Sequence, residues 1–414
     1  MGTQSDFLDV MKSRGFVFQE TAGLDGLFKS QPVTGYIGFD ATADSLHVGS
    51  LVQIMSLRWL QKTGHRPIVV LGGGTTKIGD PSGKTETRKL LDDETIAKNT
   101  AGIRKVFDRF LKFGSGPTDA LMLNNLEWLE PLSYIPFLRD IGQHFTVNQL
   151  LTLDLVKKRL AEEKPLSFLE FNYVIVQSFD FLEIYRRTGC RLQMGGSDQW
   201  GNIVKGIELT RKVADADVFG LTTPIIENAD GTKMGKTADG AVWLNAERVS
   251  PWDYWQFWRN TPDAAVGSFL KLFTELPLAE IARLESLKGG EINEAKKILA
   301  TEATRMAHGD AAAKDAEETA KKTFEQGGAS EKLPTIDVAR AELEQGASLV
   351  DLLVKSGLAS SKGEAKRVIQ QSGARVNDVV VTDLAARVRA SDLSASGTVK
   401  LSSGRKNHAL VRAV

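Results

Sequence analysis

The chain has 414 residues, 42% of them hydrophobic and 25% charged, and this composition excludes a wholly disordered or fibrous protein. Its 52 Lys and Arg balance 52 Asp and Glu, and the resulting net charge of zero at first argues against a protein that grips nucleic acid. It contains no run of about 18 uncharged apolar residues, no signal-like N-terminus and a single cysteine, Cys190, so we expect a cytoplasmic protein with no membrane span, no intrachain disulfide and no multi-cysteine zinc site.

Short apolar or β-branched runs alternate with helical patterns over residues 1–230, which predicts a parallel sheet wrapped by helices. The predicted strands are Thr34–Phe39, Pro67–Leu71, Ala120–Leu123, Arg191–Met194 and Leu221–Ile226. We therefore expect an α/β catalytic domain with a doubly wound parallel sheet. Ligands of such sheets bind at the carboxyl ends of the strands, where the strand order reverses.

Three further parts follow the predicted sheet. Residues 231–324 hold a lysine-containing loop and, from Pro251 on, helical spacing without strand signals, which predicts a helical domain. Residues 325–346 contain Gly-Gly and Pro334 and are typical of a linker. Residues 347–414 predict a small α+β domain, with helices at Ser348–Lys355 and Ser361–Ser372 and β-like runs at Arg375–Val381 and Gly397–Leu401.

Charge is distributed unevenly along the chain. Residues 347–414 hold 11 Lys and Arg against 5 Asp and Glu, a net charge of +6, so the remaining 346 residues carry −6. The zero total is a cancellation, and the basic C-terminal part is a candidate for binding nucleic acid.

A turn after the first predicted strand runs from Gly38 to Ser50. We expect His47 and Gly49 at the start of the next helix, where free backbone N–H groups and the helix dipole favour a phosphate. The signal is weak, because a His-x-Gly triplet arises by chance about 0.5 times in a chain of this composition. A helix-capping turn is the alternative interpretation.

A second loop, Asp230–Thr237, presents Lys233 and Lys236 three residues apart. Such a loop can close over a triphosphate and stabilise charge that develops on a leaving pyrophosphate. Its alternative interpretation is a solvated surface turn.

The block Cys190–Asn202 is the most specific signal in the chain. A predicted strand runs into Gly-Gly and then into a helix capped by Ser197 or Asp198. The Asp198 carboxylate can hold a ribose diol, and the glutamines of the block can fix a substrate carbonyl or ammonium group. A turn with a purely structural role would not need Gln, Asp, Gln and Trp together.

A further glycine-rich loop spans Gly72–Lys84. It does not match a Walker phosphate loop, because the spacing from Gly79 to Gly83 is one residue short. Asp80 is better interpreted as a carboxylate available to a substrate ammonium group.

Together these motifs resemble the class I aminoacyl-tRNA synthetases, with His47–Ser50 and Lys233–Thr237 standing for the two signature sequences. Three blocks, Tyr36–Asp40, Ile78–Gly83 and Gly195–Asn202, resemble more narrowly the bacterial tyrosyl-tRNA synthetases. This resemblance covers nearly the whole chain, including the basic tail.

The resemblance implies an activity in two steps. L-Tyrosine and ATP form tyrosyl-adenylate with release of pyrophosphate, and the tyrosyl group is then transferred to the 3′-terminal adenosine of tRNA(Tyr). Mg²⁺ is expected to accompany ATP, without a metal site held by the protein. The resemblance also implies a homodimer, formed through helices around Leu126–Leu160 with Trp128, Leu132, Ile135 and Phe137 as exposed apolar surface.

The resemblance assigns the site residues in four groups. Those that stabilise the transition state are Thr42, His47, Lys84, Arg88, Lys233 and Lys236. Those that bind tyrosine are Tyr36, Asp80, Tyr173, Gln177, Asp180, Gln193 and Gln199, with Tyr36 and Asp180 at the phenolic hydroxyl. Those that bind ATP are Asp40, Gly49, Ser50, Gly195, Asp198 and Lys236. Those that bind tRNA are Lys362, Lys366, Arg367 and Arg375.

The chain departs from the family pattern at both signatures. Ser50 stands where the family usually has His, so we expect contact with the transition state to come from His47 more than from Ser50. Gly235 and Thr237 stand where Ser is commoner. Two alternatives stay open. One is a tryptophanyl-tRNA synthetase, which shares the fold, and the other is a non-catalytic RNA-binding protein on a decayed synthetase scaffold.

Overall fold

The computed structural model describes residues 6–82, 90–227, 234–237, 240–324, 333–394, 397–404 and 407–414. The chain divides into two compact units, Met1–Ala313 and Lys314–Val414. The finer boundary at residue 230 stays a prediction. Among the described residues, no helix is long and apolar enough to cross a membrane.

The first unit is built on a six-stranded sheet. Its strands are β1 (Gln19–Glu20), β2 (Thr34–Asp40), β3 (Arg66–Gly72), β4 (Leu121–Asn124), β5 (Leu192–Gly196) and β6 (Phe219–Thr223). They lie in the order β1-β6-β5-β2-β3-β4, and all neighbours are parallel except the short edge strand β1, which runs antiparallel to β6. The strand order reverses between β2 and β5, as in a doubly wound fold, so the predicted fold class is confirmed.

Helices cover the sheet and continue beyond it. Those around the sheet are α1 (Asp6–Ser13), α2 (Leu24–Ser30), α3 (Leu51–Lys62), α4 (Thr75–Ile78), α5 (Asp93–Phe107), α6 (Leu126–Leu129), α7 (Tyr134–Asp140), α8 (Val147–Leu150), α9 (Asp154–Ala161), α10 (Phe168–Thr188) and α11 (Trp200–Ala214). Those that follow are α12 (Pro251–Arg259), α13 (Val266–Phe273), α14 (Leu278–Glu285), α15 (Ile292–His308) and α16 (Asp310–Phe324). A two-stranded ribbon, β7 (Lys236–Thr237) with β8 (Gly240–Ala241), precedes α12.

The local sequence explains the two elements that matter most for the cavity described below. β3 is an apolar run buried along nearly its whole length, which is typical of a parallel strand covered on both faces. The longest helix, α10, starts with a capping box in which Ser167 and Glu170 satisfy each other's backbone N–H groups. It ends at Gly189, whose φ of 69° is the left-handed conformation that glycine adopts at helix ends.

An ion cluster fixes α3, the helix that follows the His47 turn. Arg58 and Lys62 of α3 both bind Glu275, the latter at 2.9 Å. The bonds from these two cations lower the pKa of Glu275 against the effect of its partial burial. The cluster therefore ties the helix leading away from the cavity to the end of α13.

The second unit has its own core and its own sheets. After α16 the described elements are β9 (Thr335–Val338), α17 (Arg340–Gln345), β10 (Ala347–Ser348), α18 (Leu349–Lys355), α19 (Lys362–Gln370), β11 (Ala374–Val376), β12 (Val379–Val380), β13 (Arg387–Val388), β14 (Thr398–Ser403) and β15 (Asn407–Ala413). β12, β11, β14, β15 and β9 form one sheet, and β10 pairs with β13.

Residues 333–346 do more than link two domains. β9 pairs in parallel with β15, and Val338 and Leu343 are buried in the C-terminal core. The sequence assigned these residues to a linker because the partner strand, β15, is about 70 residues away and had not been predicted. The predicted helices of the tail are confirmed within one or two residues at each end.

Candidate active site

A cavity of about 350 Å³ lies at the carboxyl ends of β2 and β5, where the strand order reverses. It is lined by fourteen of the residues that the sequence assigned to a site, namely Tyr36, Asp40, Thr42, His47, Gly49, Ser50, Asp80, Tyr173, Gln177, Asp180, Gln193, Gly195, Asp198 and Gln199. Lys84, Arg88 and Lys233 lie outside the described residues. The backbone of Lys236 forms part of β7, and its side chain lies outside the described part of the chain.

One wall of the cavity holds a buried carboxylate. Asp180 lies on α10 and accepts hydrogen bonds from Trp128 Nε1 to Oδ1 at 2.7 Å and from Asn125 Nδ2 to Oδ2 at 2.9 Å. Both donors come from the segment that directly follows β4. A carboxylate has about four acceptor positions, so Asp180 can still accept a hydrogen bond from a ligand.

The Tyr36 side chain, on β2, reaches the same cavity. Its ring packs edge-on against Phe181, and its hydroxyl is buried and has no hydrogen-bond partner among the described residues. An unpaired buried hydroxyl costs about 1–3 kcal/mol, so this position favours a ligand that carries a hydrogen-bonding group.

Burial controls the ionisation of both groups. It raises the pKa of Asp180 to about 7, although the hydrogen bonds from Asn125 and Trp128 act in the opposite direction. Burial also raises the pKa of Tyr36 well above its usual value, helped by the nearby Asp180 charge. Tyr36 therefore stays neutral, while Asp180 changes its charge near neutral pH.

Three amide and carboxylate side chains of the cavity, together with Asn202 bonded to them, form a second polar group. Gln199 Nε2 donates to Asp80 Oδ2 at 2.9 Å, and Gln177 Nε2 donates to Gln199 Oε1 at 3.2 Å. Asn202 Nδ2 donates to Gln177 Oε1 at 2.8 Å. This network holds several oxygen acceptors in one place, which suits a cationic ligand group such as an ammonium.

Asp40 ends β2 and supplies a further carboxylate. It accepts hydrogen bonds from Thr75 Oγ1 at 2.8 Å and from the Tyr173 hydroxyl at 3.4 Å. A side chain in place of Gly72 would put a Cβ 2.5 Å from Asp40 Oδ1, so only glycine leaves room for this arrangement. The Asp40 carboxylate is therefore fixed at the carboxyl end of β2.

The His47 turn differs from the expected phosphate-binding helix start. Val48–Ser50 form a 3₁₀ turn, and α3 begins only at Leu51. His47 Nδ1 accepts the Gly49 N–H at 3.0 Å, while the N–H groups of Val48 and Ser50 donate to backbone carbonyls. The expected helix start with free N–H groups is therefore wrong at Gly49, and the alternative interpretation, a helix-capping turn, fits the structure because the histidine caps its own turn. With Nδ1 as acceptor, the neutral imidazole carries its proton on Nε2.

Gly49 allows two segments of the chain to pack closely against each other. A Cβ at this position would lie 2.5 Å from the carbonyl oxygen of Met234 and 2.7 Å from the His47 ring. Glycine thus allows the described part of the lysine-containing loop to pack on the His47 turn.

The Gly195–Gly196 pair continues into the turn that carries Asp198. A Cβ at Gly196 would lie 2.9 Å from Asp198 Oδ1, which explains the glycine. Gln193 is buried on β5, and its Oε1 atom has no hydrogen-bond partner among the described residues. Like the Tyr36 hydroxyl, it is an acceptor that a bound ligand can satisfy.

The sequence alone missed four residues of the site: Thr75, Asn125, Trp128 and Asn202. Asn125 could have been found, since it follows β4 at the sheet edge where ligands bind. Trp128 was expected as exposed apolar surface, which is wrong: it is 3% exposed, because its indole N–H reaches the buried Asp180. Phe137 is likewise partly buried against Phe179, whereas Leu132 and Ile135 are exposed as expected.

The predicted tRNA-binding residues lie in the second unit. Lys362, Lys366 and Arg367 are exposed on α19, with Lys362 and Lys366 one turn apart, and Arg375 follows on β11. Lys362 pairs with Asp351 at 2.7 Å, and Arg375 donates to the carbonyl of Asp378 at 3.3 Å. Lys366 and Arg367 offer exposed positive charge on the helix surface.

Two family models match the chain. The model described as tRNA synthetases class I (W and Y) matches residues 29–325, and the one described as the tyrosine–tRNA ligase SYY-like C-terminal domain matches residues 324–411.

Curated relatives and solved structures agree with these matches. The tyrosine–tRNA ligase of Rhodospirillum rubrum is 61% identical over 99% of this chain and 98% of its own length, and that of Rhizobium meliloti is 55% identical over 99% of both. The C-terminally truncated mitochondrial tyrosyl-tRNA synthetase of Aspergillus nidulans superposes with a TM-score of 0.70 at 27% identity, over 77% of this chain and 94% of that one. The family resemblance predicted from the motifs is thereby confirmed, and the chain belongs to the tyrosine–tRNA ligase family of class I tRNA synthetases.

Proposed function

We propose that the chain is a tyrosine–tRNA ligase that activates L-tyrosine with ATP and then transfers the tyrosyl group to tRNA(Tyr). The observation that carries this proposal is the buried pair of polar groups in the cavity, the Asp180 carboxylate and the unpartnered Tyr36 hydroxyl. It distinguishes tyrosine from an amino acid with an apolar ring.

The phenolic hydroxyl of tyrosine fits this pair chemically. It can donate its proton to Asp180, whose remaining acceptor positions are open, and accept the Tyr36 O–H. Phenylalanine would leave the Tyr36 hydroxyl unsatisfied and would cover the buried carboxylate without a partner, which disfavours its binding. The indole of tryptophan offers a donor to Asp180 but no acceptor for the Tyr36 O–H, so it satisfies only one group of the pair.

The rest of the cavity suits the other substrate groups. We assign the α-ammonium group to Asp80, Tyr173 and Gln177, with Gln193 and Gln199 completing the tyrosine site. The nucleoside of ATP is assigned to Asp40, Gly195 and Asp198, with Gly49 and Ser50 beside it. The network around Gln199 supports the ammonium site, because it keeps the oxygen atoms of Asp80 and Gln177 on the same wall.

The first step requires alignment and charge stabilisation rather than a base. The tyrosine carboxylate is already ionised at neutral pH and attacks the α-phosphorus, whose bond to pyrophosphate breaks. Thr42 and His47 are assigned to the phosphates, together with Lys84, Arg88, Lys233 and Lys236. Mg²⁺ is assigned to the phosphates of ATP, where it would supply further positive charge.

The second step uses tRNA, and the basic second unit is assigned to hold it. Lys362, Lys366, Arg367 and Arg375 would contact phosphates, which makes binding dependent on salt. The net charge of +6 over residues 347–414 supports this assignment.

A homodimer is part of the proposal. Six large apolar side chains are exposed between residues 132 and 151, at Leu132, Tyr134, Ile135, Leu138, Val147 and Leu151. Patches of this kind on a folded protein are typical of an interface. The second copy of this chain is the partner we assign to this surface.

Amino-acid-dependent exchange of pyrophosphate with ATP tests the first step. We expect exchange with tyrosine and little with tryptophan or phenylalanine. Replacing Lys233 or Lys236 with Ala should slow exchange by about 100-fold or more, since each would remove a charge that stabilises the transition state. The Lys288→Ala variant, which changes an exposed lysine away from the cavity, is the matched control.

A folded protein that exchanges with tryptophan would select the alternative specificity. No exchange with any amino acid would contradict both the tyrosine and the tryptophan specificity, and it would favour a non-catalytic RNA-binding protein.

The pH dependence of tyrosine binding tests the role of Asp180. The carboxylate is the form that accepts the phenolic proton, and its pKa in the free protein is about 7. Protonation below this pH weakens binding, so the Kd should rise about tenfold between pH 8 and pH 6. Equilibrium binding without ATP isolates this effect from phosphate ionisation.

The Asp180→Asn variant should bind weakly and lose this pH dependence. Asp140→Asn, at an exposed position on α7, should keep it. An unchanged pH slope in Asp180→Asn would assign the titration to another group.

Salt-dependent tRNA binding tests the second unit. We expect Lys366→Ala combined with Arg367→Ala to weaken tRNA binding and to reduce the slope of log K against log salt by about 2, because two phosphate contacts are lost. Arg340→Ala, an exposed cation of α17 paired with Glu344, is the control. Equal slopes for the double variant and the unsubstituted protein would refute the assignment of α19.

Sedimentation of the Ile135→Asp variant tests the dimer. Ile135 is 69% exposed, so the substitution should not disturb the core, whereas a charge in an apolar interface should dissociate the two copies. We expect the unsubstituted chain to sediment as a dimer and the variant as a monomer. A monomeric unsubstituted chain at micromolar concentration would contradict the proposal.

A further inference from the structure

Arg187 stands two helical turns beyond Asp180 on α10, so the two side chains lie on the same face of the helix. Its guanidinium carbon lies 5.0 Å from the centre of the Trp128 ring. The indole N–H of the same ring donates to Asp180 Oδ1 at 2.7 Å. A cation, an aromatic ring and a buried carboxylate are therefore arranged in series.

Two carboxylates hold the guanidinium in this position. Glu183 lies one turn earlier on α10, with Oε2 3.5 Å from Arg187 Nε. Glu127 precedes Trp128 on α6, with Oε2 4.0 Å from Arg187 Nη1. One carboxylate from each helix thus lies within 4.0 Å of the guanidinium, which covers an indole that is only 3% exposed.

The neighbouring Arg186 offers a natural comparison. It also binds Glu183, at 2.8 Å, and its side chain is exposed to a similar extent as that of Arg187. Among the described cations, Arg187 is the one stacked on Trp128. Charge, exposure and the Glu183 partner are therefore matched between the two, whereas the contacts with the Trp128 indole and with Glu127 are made by Arg187.

A cation over an indole face attracts the π electrons and makes the N–H group more positive. The hydrogen bond from Trp128 to a carboxylate is then stronger, because its donor is more polarised. The other groups facing Asp180 are Tyr36 and Asp40 from β2 and Asn125 from the segment after β4. Of these, Asn125 stabilises the charged form of Asp180 and Asp40 opposes it.

We propose that Arg187 is a positioning residue for the phenol-binding site, which acts through Trp128 to fix the Asp180 carboxylate and so favours tyrosine over phenylalanine. This inference rests on the proposed tyrosine specificity of the cavity. It assigns a role in amino-acid selection to an arginine that does not line the cavity.

The ionisation of Asp180 makes the effect measurable. Burial raises its pKa to about 7, and the hydrogen bond from Trp128 works against that rise. Removal of the Arg187 charge should therefore raise the pKa of Asp180 further. Near neutral pH this lowers the fraction of carboxylate that is available to the phenol.

The test compares Arg187→Met, Arg187→Lys and Arg186→Met in the full-length chain. Methionine keeps a long side chain over the indole but removes the charge, and lysine keeps a charge. KM for tyrosine, kcat and the ratio of kcat/KM for tyrosine to that for phenylalanine are measured in pyrophosphate exchange between pH 6 and pH 8.5.

We expect Arg187→Met to raise KM for tyrosine about two- to fivefold at pH 7 and to move the midpoint of its pH dependence upward by about half a unit. The ratio of kcat/KM for tyrosine to that for phenylalanine should fall. At pH 8.5 and saturating tyrosine, kcat should stay unchanged. Arg187→Lys should restore most of the loss, and Arg186→Met should match the unsubstituted protein.

A purely structural role gives a different result. The proposal would be overturned if the pH midpoint of KM for tyrosine were unchanged in Arg187→Met, or if kcat/KM fell equally for tyrosine and phenylalanine. Either result would count against it even if the melting temperature of the variant also fell. Failure of the proposed function is recognised separately, because the unsubstituted chain would then lack tyrosine-dependent exchange.

Discussion

The buried carboxylate of Asp180 is the constraint on which the rest of the site depends. A charge in such a position is costly unless hydrogen bonds compensate it, and here Asn125 and Trp128 supply two of them. Asn125 and Trp128 can reach Asp180 because β4 ends beside α10. The site also requires α10 to be long enough to carry Tyr173, Gln177 and Asp180 along one face. The capping box at Ser167 and the left-handed Gly189 fix the two ends of that helix.

Some of the buried polar atoms of the cavity have hydrogen-bond partners and others do not. The Tyr36 hydroxyl and Gln193 Oε1 are buried without partners among the described residues, while the amide and carboxylate groups around Asp80 already bond to one another. Unsatisfied buried groups lower stability, and a ligand that pairs with them recovers this loss. In the proposed function, the unpaired Tyr36 hydroxyl therefore contributes both to the selection of tyrosine and to a small cost in stability.

Much of this could be predicted from the sequence, because strands and signature motifs are local patterns. The five main strands were placed within a few residues, and fourteen of the predicted site residues line one cavity. What was missed depends on contacts between distant segments. Asn125 and Trp128 acquire meaning only when β4 meets α10, β9 needs β15 as its partner, and the His47 turn is capped by its own side chain, which no spacing rule reveals.

The central claim is that the phenol of tyrosine completes the pair formed by Tyr36 and Asp180. The most direct measurement is a crystal structure of the full chain with L-tyrosine bound. We predict a phenolic oxygen within about 3 Å of both the Tyr36 hydroxyl and an Asp180 carboxylate oxygen, with the hydrogen bonds from Asn125 and Trp128 retained. A phenolic oxygen more than about 3.5 Å from Asp180, or a ring bound elsewhere in the cavity, would contradict the claim.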